Sequence, residues 1–467
     1  MEISMKQMIR SSLTLLLAAV LLLGVAAPCL AADEAPPVID ARAAVMMDAA
    51  SGNVLYSLNA DTPLYVAGLT VMMTALLAAE AVDRGEIAYA DVVTASSASH
   101  SDITSDASIQ NIVPGEQMPL KDLLICALAG GASDACNIIG EYVSGSVNLF
   151  IRDMNDRASQ LGCKSTSFVN AHGLPNENHF STAYDMALIA AAFVQHEELV
   201  EFSNTVSAEI AATNVSGVRK ITNSNYILRQ DYTRYYYSYA CGIKSSYTDD
   251  AGYCLASSMK TDGSYVVSIV LGCKVVEADN GFYDIQSFTQ TRELFQWFNS
   301  CYSLRDVVST IEPITEIPVL LAEGTDTVVC CAAEGLKLFL PNDLDISKEY
   351  TRDIRIFKPK GGEGDLTAPI TKGQALGEMT VRGSDGSTYG PFTLIANTDV
   401  AVSRLELMRQ RLHSLVHSYG FRTIFFIVAA VILLYIIFVI RYRVIRRRER
   451  RYKRQQAKAR EEASSRR

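Results

Sequence analysis

The hydrophobic pattern divides the chain into blocks. An uncharged apolar run covers residues 13–27, and a longer one with no charged residue covers 423–440. Between them the period of the apolar positions changes several times. Residues 43–48 and 53–58 are short apolar segments joined through Ala49-Ala50-Ser51-Gly52, the pattern of a β-hairpin. Over 66–82 Ala, Leu and Met recur at helical spacing and stop near Gly85. Helical patterns follow over 120–143, interrupted at Gly130-Gly131, then over 147–161 and 182–193, the last preceded by a loop over 170–179. Strand-like stretches at 239–244, 252–258 and 265–273 precede a helical run over 286–298. Helices set inside an antiparallel sheet predict an α+β domain over 33–303. Short strands broken by Gly, Pro and Asp predict a small all-β domain over 304–400. Beyond it Val402, Leu405, Met408, Leu412 and Leu415 alternate with basic side chains, predicting an amphipathic juxtamembrane segment over 401–421.

The two ends address the protein. Lys6 and Arg10 precede the first apolar run, and small residues at 28–32 separate it from Asp33 and Glu34. That order predicts a secretory signal peptide over 1–32, cleaved after Ala31 or Ala32. An uncleaved anchor helix is the alternative, disfavoured by the short run. The 423–440 run would span about 27 Å as a helix, enough for a bilayer core of roughly 30 Å when its flanks reach the interface. It predicts a transmembrane helix over 422–440. Residues 441–467 carry 13 basic and 3 acidic side chains within a chain of net charge −9, so the tail is +10 and everything before it −19. A basic flank lies on the cytoplasmic side. The expectation is a single-pass protein of the cell membrane with an acidic extracytoplasmic body and a basic cytoplasmic tail. The tail reads as a stop-transfer anchor on anionic lipid, and no nucleic acid is expected as a partner.

Apolar residues make up 49% of the chain and charged ones 20%, which excludes a disordered protein. The ten cysteines include no C-x-x-C pair, and Cys330-Cys331 are adjacent, so no zinc site is expected. Nine remain after cleavage, an odd number that argues against a complete disulfide framework. Cys126 and Cys136, inside helical patterns, read as buried apolar residues.

Three segments resemble one family. ARAAVMMDAASGNVLYSLNADTPLYVAGLTVMMTALLA resembles the opening of the low-molecular-weight penicillin-binding proteins, the serine-type D-alanyl-D-alanine carboxypeptidases. FVNAHGLPNENHFSTAYDMALIA resembles their central loop and helix, and LTAPITKGQALGEMTV a stretch of their C-terminal β-domain. The resemblance runs from about Ala41 to Thr398. It implies a β-lactamase/transpeptidase-like domain followed by the small all-β domain and the membrane helix.

The family's chemistry rests on three motifs. In S-x-x-K the serine attacks a peptide carbonyl and the lysine, one helical turn on, accepts its proton. Here Gly68 stands at the serine position and Val71 at the lysine position. Nearby Thr70 and Thr74 have no lysine at +3. In S-x-N, Gly131 replaces the serine and Ser133 the asparagine. In K-T-G, Lys244 is retained, Ser245 keeps a hydroxyl, and Ser246 replaces the glycine that would let a ligand approach the backbone. His172, His179 and Asp185 could be imagined as a metal site, but the resemblance accounts for them as loop-ordering residues. No metal or cofactor is expected.

Catalytic residues are therefore not expected at the degenerate positions, and the chain reads as a pseudoenzyme with a binding or scaffolding role in peptidoglycan metabolism. Lys244, Ser245 and Ser246 are the candidate ligand-binding residues, for a peptidoglycan stem peptide. Two alternatives stand beside this. One is an active carboxypeptidase trimming pentapeptides with a substituted nucleophile. The other is a transmembrane interaction subunit with a vestigial cleft, acting through an envelope or cytoplasmic protein partner.

Overall fold

The computed structural model describes residues 35–100, 102–105, 107–277, 281–357 and 366–464. The signal-peptide expectation, over 1–32, lies outside them. Chain contacts separate two units: one holds everything up to Arg305 together with 338–343, the other 306–337 and 344–467.

The first unit is built on strands β1 (Ala43–Asp48), β2 (Val54–Leu58), β3 (Ala240–Thr248), β4 (Gly252–Thr261) and β5 (Ser264–Cys273). They form one antiparallel sheet in the order β2-β1-β5-β4-β3, with β3 at an edge. All six residues of β1 are buried, and side chains alternate across a strand. Ala43, Val45 and Met47 accordingly face one core cluster while Ala44 and Met46 face another. The first cluster packs the sheet against α1 (Val71–Asp83), α2 (Leu120–Leu128), α3 (Ser133–Ser144), α4 (Val147–Gln160), α5 (Ala183–Phe193) and α6 (Glu197–Asn204). The second packs it against Phe288, Leu294, Phe295 and Phe298 of α7 (Gln286–Cys301). The sheet is thus covered on both faces, which explains why residues 43–47 of β1 are apolar in succession rather than alternating.

Ten of the thirteen residues of α1 are buried. The chain enters it through a 3-10 turn, Ala67–Thr70, that presents Gly68 to the edge strand β3. Gly130 and Gly131 separate α2 from α3, and Gly131 has φ +68, the left-handed region that glycine reaches without strain.

In the second unit β6 (Thr315–Leu320), β7 (Thr327–Ala332), β8 (Tyr350–Ile356), β9 (Leu366–Thr367), β10 (Ala375–Gly383) and β11 (Thr388–Ala396) form a six-stranded sheet ordered β8-β10-β11-β7-β6-β9. Ile317 and Val319 of β6, and Phe392, Leu394 and Ala396 of β11, are buried at period two, as expected of a sheet with one covered face. Two helices follow, α8 (Arg404–His417) and α9 (Tyr419–Ser464). Leu405, Met408, Leu412 and Leu415 of α8 are exposed. Residues 419–459 of α9 contain a window of mean hydropathy 3.2 with none of it buried, so this helix is long and apolar enough to cross a membrane.

Candidate functional site

The residues singled out in the three motifs converge where the 3-10 turn, the α2–α3 turn and β3 meet. Their arrangement follows from the pleat of β3: Lys244 and Ser246, two residues apart, point to the same face of the sheet. Ser246 reaches the 3-10 turn, where its Oγ accepts a hydrogen bond from the Gly68 amide at 2.9 Å. A Cβ built on Gly68 would lie 2.8 Å from that oxygen and 3.3 Å from the Ser246 Cβ. The hydroxyl of the strand thus stands where a side chain at position 68 would have to go.

Lys244 is 4% exposed and extends toward the α2–α3 turn, where its Nζ donates to the Leu128 carbonyl at 2.7 Å. Burial pushes its ammonium down to about 8, against a smaller opposing pull from the Cys136 sulfur. Among the described residues no carboxylate pairs with it. A Cβ on Gly131 would lie 3.3 Å from Nζ. Both glycines in the motifs therefore touch a β3 side chain. Ser245 faces the other way and shares a hydrogen bond of 3.0 Å with the Ser224 hydroxyl. Ser133 opens α3, its amide donating to the Ser108 carbonyl at 2.9 Å. Val71 is 2% exposed and packs in the helical core cluster.

Thr70, Thr74, His172, His179 and Asp185 belong to a different construction. The Val169 amide donates to Nδ1 of His179, which leaves the proton on Nε2; that nitrogen lies 2.8 Å from Thr70 Oγ1, and the threonine in turn donates to Ala67 O at 3.0 Å. Thr74 donates to Ala171 O at 2.6 Å. The Asp185 carboxylate accepts from the Lys164 and Ser165 amides and the Thr166 hydroxyl at 3.2, 2.8 and 2.7 Å. Gly173, at φ +84, is bound to Asn170 Oδ1 through its amide, and a Cβ there would collide with the Ala67 carbonyl. Burial pushes His179 and His172 each down to about 4, His172 adding to the first effect and Asp102 opposing the second. Both imidazoles are neutral at pH 7. These groups hold backbone, and among the described residues no group of three or more His, Cys, Asp or Glu could hold a metal ion. Burial likewise drives the Cys126 and Cys136 thiols up to about 12, leaving them as inert apolar side chains.

Sequence reasoning missed Ser108, Ser224 and the Leu128 carbonyl. Each meets the motif residues through a contact remote in sequence, and no local pattern announces it.

Comparison with known proteins fits this geometry. A family model described as D-alanyl-D-alanine carboxypeptidase matches residues 31–275. The chain is 30% identical over 350 residues to D-alanyl-D-alanine carboxypeptidase DacC of Escherichia coli, covering 73% of this chain and 80% of that protein. It is 27% identical over 362 residues to DacF of Bacillus subtilis, covering 77% and 86%. Among solved structures it is similar to penicillin binding protein 5 from Haemophilus influenzae, with TM-score 0.59, 27% identity, and coverage of 78% of this chain and 99% of that one.

Proposed function

This chain belongs to the D-alanyl-D-alanine carboxypeptidase family, and from that premise we propose that it is a non-catalytic member that binds peptidoglycan stem peptides rather than cleaving them. Acyl transfer of this kind needs a nucleophile and a base within reach of it. Gly68 offers no side chain and Val71 no proton acceptor. The observation that carries the reading is the contact of Ser246 with Gly68: a serine hydroxyl from β3, with no lysine or other base at position 71, lies against the position of the missing nucleophile. Loss of such a nucleophile typically lowers the rate by several orders of magnitude.

What remains suits recognition. Lys244 holds a buried ammonium at the α2–α3 turn with one of its three donors spent on Leu128 O, while Ser245 keeps a hydroxyl on the opposite face of β3. A peptide's terminal carboxylate is a natural partner of such an ammonium. We place the folded units outside the cell membrane, with α9 crossing it and residues 441–467 in the cytoplasm, on the excess of basic residues after the apolar run. A role for the tail as an interaction surface is favoured by one observation: α9 continues as helix to Ser464, well past its apolar part.

The test is intact-mass spectrometry of the full-length protein in detergent after incubation with a penicillin, beside a carboxypeptidase that has its serine. The expected spectrum shows no adduct on this chain. Calorimetry with a pentapeptide ending in D-Ala-D-Ala is expected to detect binding that Lys244→Ala weakens at least tenfold. A stoichiometric penicilloyl adduct would overturn the non-catalytic reading, and its position would identify the substituted nucleophile.

A further inference from the structure

The contact between Gly68 and Ser246 joins residues 178 positions apart, from the 3-10 turn to the edge strand β3. Two facts about it are independent. One is steric: a Cβ at position 68 would meet the Ser246 Oγ at 2.8 Å and its Cβ at 3.3 Å, so a side chain there requires the serine hydroxyl to turn away. The other is polar: the Gly68 amide, a backbone donor at the entry to α1, is spent on the same hydroxyl. Ser246 is only half-buried, so this contact lies within reach of anything that enters the cleft.

We infer that Ser246 is an internal plug of the cleft: its hydroxyl fills the space of a residue-68 side chain and occupies the Gly68 amide, so that a peptide carbonyl reaches this donor only by displacing it. Ser246 thereby limits how deeply a peptide engages and how tightly it is held. The effect on ligand affinity rests on the proposed peptide-binding role; the plug itself does not. A single neutral hydrogen bond of this kind corresponds to roughly three- to tenfold in a dissociation constant. The glycine on the helix and the serine on the strand form one compensating pair: restoring a hydroxyl at 68 has a cost unless 246 gives way.

The experiment compares full-length wild type with Ser246→Ala, Ser246→Gly, Gly68→Ser and the Gly68→Ser/Ser246→Gly double variant. Hydrogen exchange at the Gly68 amide is expected to accelerate about tenfold or more in Ser246→Ala. Gly68→Ser should lower the first thermal transition by about 2–4 °C, and by less than half of that when introduced into Ser246→Gly. A peptide ending in D-Ala-D-Ala should bind Ser246→Ala roughly three- to tenfold more tightly than wild type. Unchanged exchange at Gly68, additive thermal shifts, or wild type and Ser246→Ala binding the peptide equally would each overturn the plug. If exchange and thermal coupling come out as expected while no variant binds the peptide, the plug stands and the peptide-binding role falls.

Discussion

The loop over 163–182 and the rim made by Gly68, Gly131 and β3 are neighbours, yet they are built on opposite principles. They meet at His172, whose carbonyl oxygen would lie 3.8 Å from a Cβ on Gly68. Around the loop polar side chains hold backbone: Asp185 of α5 takes two amides and a hydroxyl, Asn170 takes the Gly173 amide and donates to Leu174 O, and Thr74 of α1 donates to Ala171 O. On the rim, Gly68 and Gly131 carry no side chain, and the β3 groups have closed on them. The loop is held by its polar side chains, whereas the rim is held by β3 side chains that lie against two glycines. Inside the loop His172 accepts from the Leu174 amide through Nδ1 and keeps Nε2 buried without a hydrogen-bond partner.

The comparison breaks if removing a loop side chain proves harmless. Asp185→Ala removes the buried carboxylate that three half-buried donors share and should lower the unfolding free energy of the first unit by about 3 kcal/mol, read by urea unfolding of the full chain. Next in size is the pH response. His172 and His179 titrate at about 4 in the fold, against 6.5 for a free imidazole, because burial penalises the charged ring. Between those values the unfolded chain binds protons that the folded one refuses. The stability they contribute is complete above pH 6.5 and lost as pH falls toward 4, a few kcal/mol for the pair. The midpoint of unfolding should drop across that window, and drop less in His172→Gln.

The rim gives the smaller response in a separate window. Lys244 titrates near 8 instead of 10.5, so its charged form is disfavoured by folding and stability should rise as pH climbs from 8 to 10.5. Lys244→Met should abolish that rise. At pH 7 it should shift stability by only about 1 kcal/mol, since loss of the buried charge is offset by the stranded Leu128 carbonyl. A fall of several kcal/mol in Lys244→Met would mean that the rim is as structural as the loop.

Much of the fold was legible in the sequence. Residues 43–48 read as a strand and form Ala43–Asp48, because a strand covered on both faces carries apolar residues in succession, here up to Met47. The break at Gly130-Gly131 separates Leu120–Leu128 from Ser133–Ser144. Where the reading slipped, the reasons are local. The apolar period starts at 66, but the helix starts at Val71, because Ala67 sits at φ +47 and the chain turns there as 3-10. The strand read as 239–244 continues to Thr248 through Ser245, Ser246 and Tyr247, whose polar character hid a run that pairs with β4. The basic stretch after the membrane run gave no helical period, yet Arg, Lys, Glu, Gln and Ala are strong helix formers and α9 runs through it. At the site, the identity of the replaced residues was readable at each motif. What now occupies their space was not, since the Gly68–Ser246 and Leu128–Lys244 contacts join positions more than a hundred residues apart.

The 46 residues of α9 form one helix with no intervening loop. At 3.6 residues per turn, the compass bearing of each basic side chain is locked to that of the apolar stretch before it, and every added residue would swing the later part by about 100°. The segment is a keyed shaft about 69 Å long, so that a rotation of one end is delivered to the other as a change in which arginines face a given direction.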